Sequence, residues 1–381
     1  MATKQAVKRK KKKQFHIPIF KNGFLDYSLL FVIIFLVSFG LVMVYSTSSY
    51  SAQLNLGNPT YYLKRQAISA LIGFAGMLIV TNMDYHWWKK WTLVMMYGIL
   101  ALLVLTLIMG TDSHGATRWL NIGGMSLQPS EMAKIVIILF TAHMSTLKAA
   151  RIGDFKIMLK VAAFPMAAVV LIAKENLSTA IICAAITLVI IFVTSPKVKQ
   201  FVYLGLIVLG LLVIFLLVAS YRLERIKIWL HPEDYDKGYQ TLQALYAIGS
   251  GGLFGKGLGQ SIQKLGFIPE SHNDMIFSVI CEELGLFGAI CVILLFALLI
   301  WRCVMIAMSA PDLYGSLIVV GVITHIAVQV IVNIAVVTNT FPPTGVPLPF
   351  ISYGGTALCM LLVELGLVLS VAKQINMPKE Y

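Results

Sequence analysis

The sequence predicts an all-α fold: a polytopic membrane protein of about ten transmembrane helices with one large extracytoplasmic loop. Composition carries the first part of this prediction, because 58% of the 381 residues are hydrophobic and only 12% are charged, against about 25% charged residues in soluble domains. A water-soluble fold of this size would need many more polar residues to cover its surface. The lengths of the apolar segments predict the number of spans, and the placement of the basic residues predicts their orientation.

Ten segments are apolar over the length that crosses a membrane, which is about 20 residues in an α-helix. They lie near 27–48, 66–82, 91–110, 130–147, 157–173, 177–195, 200–219, 275–301, 314–337 and 350–372. The sequence shows neither an internal repeat nor a second, soluble domain. We therefore expect one transmembrane domain, residues 27–373, between a basic cytoplasmic arm, 1–26, and a short cytoplasmic tail, 374–381.

The basic residues predict the orientation, since cytoplasmic loops are enriched in Lys and Arg. With the N-terminus in the cytoplasm, the short inner loops hold Lys89, Lys90, Lys148, Arg151, Lys156, Lys160, Lys197, Lys199 and Arg302. The short outer loops hold only Lys64, Arg65, Arg118 and Lys174. We expect a multi-pass membrane protein with both termini in the cytoplasm and the long loop, 220–274, outside.

Much of the formal net charge of +13 lies in the basic run Lys8–Lys13. A basic arm beside a span is typical of topology control and of contact with anionic membrane lipids, so we expect no nucleic-acid partner. The apolar stretch after the arm is long enough to span, and no small-residue cleavage site closes it, which argues against a signal peptide. The five cysteines lie in or beside apolar segments without CxxC spacing, so we expect neither structural disulfides nor zinc.

A connection as long as 220–274 inside a compact protein is usually functional. Its glycine-rich stretch, Gly249–Gly257, lacks the spacing of a phosphate-binding loop and instead predicts tight turns and close backbone packing. The loop ends in Pro269–Phe277, which places His272 and Asp274 where the chain enters an apolar span. An acid at the water boundary of a membrane cavity is a functional candidate, although Asp274 could also serve only as a helix cap.

A second polar constellation surrounds the start of the fourth span. It consists of Arg118 and Trp119, followed by Gln128, Pro129, Ser130, Glu131 and Lys134. Pro129 suits a first helical turn, and Glu131 suits the positive end of the helix dipole. Glu131 and Lys134 are three residues apart and share a face of the helix. They either pair to position the helix or, because Lys134 enters the membrane, bind an anionic ligand.

The third unusual segment, Pro342–Gly355, has four prolines and three glycines between apolar spans and cannot form a regular helix. Irregular backbone at membrane depth is tolerated where it lines a cavity or is buried in protein. We expect this segment, with Ser352, to line a cavity, or else to form a rigid plug. Asn333 precedes it. Three carboxylates within spans have roles that the sequence leaves open: Glu282, Glu283 and Glu364.

Taken in order, these segments resemble the SEDS family (shape, elongation, division and sporulation), which includes FtsW and RodA. The matching residues are Arg118-Trp119, Gln128-Pro129-Ser130-Glu131 with Lys134, Gly238-Tyr239-Gln240 through Ser250-Gly251-Gly252, Pro269 to Phe277, Glu282-Glu283-Leu284-Gly285, and Pro347-Leu348-Pro349 through Gly355. The segments that resemble the FtsW branch more than RodA are Tyr45 to Ser49, Gln263 to Glu270, and Asn333 to Thr338. In one departure, the family's acidic position falls on Asn176, with Glu175 one residue earlier.

The resemblance implies a bacterial plasma-membrane glycosyltransferase that polymerises lipid II, the undecaprenyl-pyrophosphate-linked disaccharide peptide, into glycan strands during cell division or related septal wall synthesis. It also implies a class B penicillin-binding protein as the cross-linking partner, together with other divisome proteins.

Such a reaction joins a sugar hydroxyl to an anomeric carbon that carries a pyrophosphate. A positioned carboxylate base would assist the hydroxyl, and the loop position and the family match make Asp274 the candidate. Cations are needed where the leaving pyrophosphate develops charge. The candidates are Lys134, oriented by Glu131, and Arg118, then Arg65 and Arg222, with His272, Gln128, Ser130 and Ser352 completing the expected substrate-binding set. Mg²⁺ or another divalent cation could share this work, but no acidic cluster has ligand spacing, so we assign no metal site.

Two other functions fit the sequence. Ten spans, broken backbone and intramembrane charges also suit a transporter that flips the lipid-linked precursor, although the polar motifs concentrate on one side. A non-catalytic scaffold for the penicillin-binding protein would instead tolerate changes of Asp274, Glu131 or Lys134.

Overall fold

The computed structural model describes residues 25–113, 116–122, 125–203, 205 and 227–375. Nine helices in these ranges have the length and apolar composition to cross a membrane, which confirms a multi-pass helical membrane protein. They are α1 (Tyr27–Leu56), α2 (Tyr61–Thr81), α3 (Thr92–Met109), α4 (Pro129–Leu147), α5 (Phe155–Glu175), α6 (Leu177–Thr194), α8 (Ile276–Ser309), α9 (Leu313–Val337) and α10 (Gly355–Ala372); a shorter helix, α7 (Tyr239–Ser250), lies in the long loop. The predicted span 200–219 and residues 220–226 of the predicted loop lie mainly outside the described residues.

A small antiparallel sheet joins α3 to α4, which the all-helical prediction missed. Its strands are β1 (Thr111–Ser113), β2 (Ala116–Ile122) and β3 (Met125–Leu127), in the order β1-β2-β3. The sequence did not indicate these strands, because β1 and β3 are short and β2 carries no alternating pattern of apolar and polar residues. The sheet leads directly into the first turn of α4.

Polar side chains fix the start of several helices. Asp26 Oδ1 accepts the Leu29 N–H of α1 (3.0 Å), and Asp312 Oδ1 accepts the Gly315 N–H of α9 (2.8 Å). Asn176 Oδ1 caps α6 in the same way by accepting the Thr179 N–H (3.1 Å). These are the donors that a helix leaves unpaired at its N-terminus. The asparagine at the family's acidic position thus caps α6.

Side-chain contacts define one end of the bundle, the loop end, where residues 227–275 meet the helices. Ser271 Oγ donates to the Thr47 carbonyl of α1 (3.1 Å), and the ring centroids of His272 and Tyr62, in the first turn of α2, are 4.4 Å apart. The Asn333 side chain, near the end of α9, donates to the Asp274 carbonyl (2.7 Å). The loop therefore packs where α1 and α9 end and α2 begins.

The opposite end of the bundle, the terminal end, holds both ends of the described chain. Arg302, late in α8, pairs with Asp26 just before α1 (2.7 Å). Gln374, just after α10, donates to Asp84, just after α2 (3.0 Å). Residues 25 and 375 therefore lie at the same end, as the predicted topology requires.

The connection between α6 and the long loop must change ends. Gln200 Nε2 donates to the Gly153 carbonyl, between α4 and α5 (2.6 Å), so α6 finishes at the terminal end. Residues 227–275 lie at the loop end. The predicted span 200–219 belongs to this connection and lies mainly outside the described residues.

Helices α4, α9 and α10 form the centre of the bundle, since most of their side chains are buried. Helices α2, α3 and α5 bury fewer than a third of theirs, as expected of helices that face lipid. Polar groups on the three central helices are consequently shielded from both lipid and bulk water.

The glycine-rich stretch packs its backbone directly against α8. The Lys256 and Gly257 N–H groups donate to the Glu282 and Glu283 carbonyls (2.9 Å each), and a Cβ on Gly255 would lie 2.2 Å from the Glu283 oxygen. Helix α8 is itself interrupted at Gly285, which has φ +68° and ψ −168°. The predicted tight turns and close backbone packing are confirmed.

Two carboxylates whose roles the sequence left open fasten the loop to α8. Lys256 Nζ lies 2.7 Å from Glu282 Oε1, and Ser261 Oγ also donates to that carboxylate. Lys264 Nζ lies 2.6 Å from Glu283 Oε1. Both carboxylates are fully buried, so each lysine serves as the partner that a buried charge requires.

We expect Gly255→Ala to lower the unfolding temperature of the purified protein in detergent more than Gly259→Ala does. Both glycines have positive φ (+78° and +81°), so either alanine incurs backbone strain of about 1–3 kcal/mol. Only Gly255 has backbone atoms in the space that a Cβ needs. Equal shifts in a thermal melt would contradict the close packing.

Candidate active site

A buried ion pair lies at the start of α4. Lys134 Nζ is 2.9 Å from Glu131 Oε2, with the side chains 2% and 8% exposed. Pro129 occupies the first turn of α4 and Glu131 lies in the same turn, where the helix dipole favours a carboxylate. The predicted pairing of Glu131 with Lys134 is confirmed.

The same ammonium group contacts α9, and through it α10. Lys134 Nζ lies 2.9 Å from His325 Nε2 and donates to Gln329 Oε1 (3.3 Å). His325 Nδ1 lies 2.6 Å from Glu364 Oε2. All five side chains are buried. They form a polar network that joins the three central helices.

The irregular segment between α9 and α10 is held by side-chain amides. Gln329 Nε2 donates to the Pro347 carbonyl (2.9 Å), and Asn333 Nδ2 donates to the Val346 carbonyl (2.8 Å). From α2, Gln66 Nε2 donates to the Ser352 carbonyl (3.1 Å). Backbone groups that cannot join a helix are thereby satisfied inside the protein.

These amides also connect Asp274 to the network. Asn333 donates at once to the Asp274 carbonyl and to the segment, while Gln329, one helical turn away on α9, contacts both the segment and Lys134. One turn rises about 5.4 Å. A Cβ on Gly345 would lie 3.9 Å from Asp274 Oδ2. Residues 345–347 therefore lie between the loop carboxylate and the buried cation.

The Asp274 carboxyl is partly exposed but is surrounded by enough protein to lose much of its hydration. Burial, assisted by the neighbouring charge of Glu270, raises the pKa of Asp274 to about 6, although the N–H groups of Asp274 and Met275 act in the opposite direction. A carboxylate with such a pKa is ionised at neutral pH yet more basic than an ordinary aspartate. That combination suits a general base.

An aromatic cluster covers the other side of the loop. The His272 ring lies 4.4 Å from Tyr62 and 5.6 Å from Tyr353, and burial lowers the pKa of His272. The guanidinium of Arg65 lies 4.8 Å from the Tyr61 ring centroid and contacts Tyr353. Two predicted substrate-binding residues, Arg65 and His272, thus belong to one cluster beside Asp274.

The network opens into a cavity of about 310 Å³ bounded by the irregular segment. Its polar lining includes Glu131, His325, Gln329 and Ser352. The expectation that Ser352 and its segment line a cavity is confirmed. A neighbouring hollow of about 320 Å³, between α3, α4 and α5, is lined by Ser130, Glu175 and Asn176 above apolar side chains.

The remaining predicted substrate-binding residues are not among the described residues that line the cavity beside Glu131. Gln128 precedes α4 and is half-buried, without capping the helix. Ser130 lines the hollow between α3, α4 and α5 rather than the cavity beside Glu131. Arg118 lies on β2, with its side chain outside the described part, and Arg222 lies outside the described residues. Within the described ranges, no cluster of three or more His, Cys, Asp and Glu side chains has a metal-site arrangement.

Sequence reasoning missed His325 and Gln329. With Asn333 they recur every four residues in an otherwise apolar helix, and this spacing places them on one face. That periodic polar stripe was the available signal. It could not show that Lys134 and Glu364, which lie 191 and 39 residues from His325 in the chain, are its partners.

The fold is that of a multi-pass membrane protein. Its candidate site combines the Asp274 carboxylate of the loop with the buried Lys134 ammonium group. The chain belongs to the FtsW/RodA/SpoVE family, described as cell cycle proteins, whose family model matches residues 27–377.

Curated relatives match over nearly their whole length. The chain is 40% identical over 354 residues to stage V sporulation protein E of Bacillus subtilis, covering 91% of this chain and 97% of the relative. It is 39% identical over 357 residues to a probable peptidoglycan glycosyltransferase FtsW of Trichlorobacter lovleyi, covering 91% and 93%.

Solved structures have the same fold. A chain of a peptidoglycan synthase complex that coordinates polymerization and crosslinking matches with a TM-score of 0.79 at 27% identity, covering 93% of this chain and 99% of that one. The rod shape determining protein RodA of Thermus thermophilus matches with a TM-score of 0.69 at 26% identity, covering 93% and 98%.

We expect Lys134→Met to lower the free energy of unfolding by about 3–5 kcal/mol, because it leaves Glu131 buried without its cation. The double variant Glu131→Gln/Lys134→Met should recover part of this loss, as measured by denaturation in detergent. Lys256→Met is the matched control: Lys256 is 31% exposed and its partner Glu282 keeps other donors. A loss as large for Lys256→Met would contradict a special role for burial at Lys134.

Proposed function

We propose that this protein is a peptidoglycan glycosyltransferase that polymerises lipid II into glycan strands, with Asp274 as the general base. The observation that carries the proposal is the amide-held connection from Asp274, through residues 345–347, to the Lys134 ammonium. Membership of a family with relatives named peptidoglycan glycosyltransferases supports it. A base and a cation on opposite sides of one segment are the two groups that the chemistry needs.

In the proposed reaction, a sugar hydroxyl attacks the anomeric carbon that carries the lipid pyrophosphate. The new carbon–oxygen bond forms as the bond to pyrophosphate breaks, so the anomeric centre inverts. Asp274 takes the hydroxyl proton, and Lys134, positioned by Glu131, stabilises the charge that develops on the leaving oxygen. Because pyrophosphate is already a good leaving group, a second carboxylic acid is not required.

The excess of basic residues in the loops at the terminal end supports an orientation with that end in the cytoplasm. The loop end, with Asp274, then faces outwards, where lipid-linked sugars are joined into wall. A class B penicillin-binding protein is the proposed partner, since a structurally similar chain belongs to a complex that couples polymerization to crosslinking. Other divisome proteins would assemble around this pair.

Asp274→Asn should reduce polymerisation by a factor of about 10²–10⁴, because an amide cannot accept the proton. Purified protein with its cognate penicillin-binding protein and lipid II in detergent provides the assay, with glycan strands resolved on a gel. Strand formation in detergent, where no second compartment exists, also excludes flipping as the sole activity.

The matched control is Asp234→Asn, at an exposed aspartate in the same loop, which should retain full activity. Near-normal turnover by Asp274→Asn, with an unchanged melting temperature, would refute Asp274 as the base.

The rate should fall as pH drops through about 6, because the raised pKa of Asp274 means that the base becomes protonated there. Glu270→Gln removes the neighbouring negative charge that raises this pKa, so the acidic limb should move to lower pH. The measurement is kcat against pH for both proteins, with the exposed Glu233→Gln as control. An acidic limb that stays in place in Glu270→Gln would contradict assignment of that limb to Asp274.

A further inference from the structure

We propose that His325 and Glu364 form a positioning dyad for Lys134, a role that rests on the proposed function. The dyad is a histidine–carboxylate pair in which one ring nitrogen contacts the Glu364 carboxylate and the other contacts the Lys134 ammonium. It lies on α9 and α10, away from the loop that carries Asp274.

The hydrogen bonds of Lys134 show what the histidine does. An ammonium group has three N–H donors, and three acceptors surround it: Glu131 Oε2, His325 Nε2 and Gln329 Oε1, at 2.9, 2.9 and 3.3 Å. Each donor therefore has one partner. The three partners come from two helices and fix the direction of the lysine side chain.

This arrangement determines the tautomer of His325. Because Nε2 accepts from Lys134, the ring proton lies on Nδ1 and is donated to Glu364 Oε2 at 2.6 Å. Gln329 Oε1 lies 2.8 Å from Nε2 and accepts from the same ammonium group. The Gln329 amide cannot turn over, since its Nε2 donates to the Pro347 carbonyl.

Glu364 supplies the charge that maintains the tautomer. It is fully buried, about 14 Å along α10 from the first residue of that helix. Its Oε1 has no hydrogen-bond partner among the described residues, so the bond to His325 is its principal stabilising contact. Burying a carboxylate within the membrane costs free energy. If the pair served only to join α9 to α10, apolar side chains would do so without that cost.

The position of His325 connects the dyad to the chemistry. His325 lines the same cavity as Glu131, Gln329 and Ser352. Loss of Nε2 as an acceptor would leave one ammonium donor unpaired and free the lysine to turn towards Glu131 alone. The dyad thus acts through Lys134, and its removal should lower the rate of bond breaking more than the affinity for substrate.

The test separates stability from rate with one double variant. Glu364→Leu and His325→Leu each leave a buried polar partner unpaired and should lower the melting temperature. His325→Leu/Glu364→Leu removes both members of the pair and should regain part of the loss, although one Lys134 donor stays unpaired. In the polymerisation assay with lipid II, the double variant should still show kcat at least tenfold lower, with KM changed less than threefold. His325→Gln, which keeps an acceptor, should retain more activity than His325→Leu.

The matched control is His86→Leu, which breaks a pair of the same chemistry at the terminal end (His86 Nε2 to Asp312 Oδ2, 2.9 Å) and should affect stability but not kcat. A double variant with normal kcat would overturn the dyad, as would nitrogen-15 NMR spectra showing His325 protonated on Nε2. If Asp274→Asn also keeps normal kcat, the proposed function fails; if Asp274→Asn is inactive and the double variant is not, only the dyad fails.

Discussion

The requirement that every backbone polar group inside a membrane find a partner within the protein organises this structure. Residues 342–354 cannot form a helix because of their prolines, and amides on α2 and α9 satisfy their carbonyls. Where α8 is interrupted at Gly285, the loop supplies a hydrogen-bond partner: the Leu286 N–H donates to the Gly252 carbonyl (2.9 Å). At both places, irregular backbone is stabilised by partners from elsewhere in the described part of the chain.

The same partners place the reactive groups. Asn333 holds the Asp274 carbonyl and the irregular segment together, and Gln329 holds that segment and Lys134. The amides that satisfy the irregular backbone therefore also hold the Asp274 carboxylate at the loop end and the Lys134 cation inside the bundle in a fixed relation. The ionisable side chains of the network, Glu131, Lys134, His325 and Glu364, all lie on α4, α9 or α10, so none of the pairs between them depends on a loop.

The sequence was sufficient to predict the membrane-spanning helices, because the length of an apolar segment is a local property. It was also sufficient to predict the pairing of Glu131 with Lys134, because residues three apart lie on the same face of a helix. It could not supply contacts between distant segments. The sequence left the charges of Glu282 and Glu283 unexplained, and the structure places Lys256 and Lys264 beside them. Ser130 directly precedes Glu131 in the first turn of α4 yet lines a different hollow. The small sheet before α4 was missed because β1 and β3 have three residues each and the seven residues of β2 do not alternate between apolar and polar.

The break at Gly285 divides α8 into two pieces with different surroundings. Ile276–Glu283 are buried on all sides, whereas Leu286 and Phe287 are exposed in the manner of a lipid-facing helix. The second piece, residues 286–309, is about 36 Å long and suffices on its own to cross a bilayer. The glycine-rich stretch bonds to both pieces, at the Glu282 and Glu283 carbonyls before the break and at the Leu286 and Phe287 N–H groups after it, so the loop splints the break and keeps the buried first piece, which begins two residues after Asp274, in register with the second.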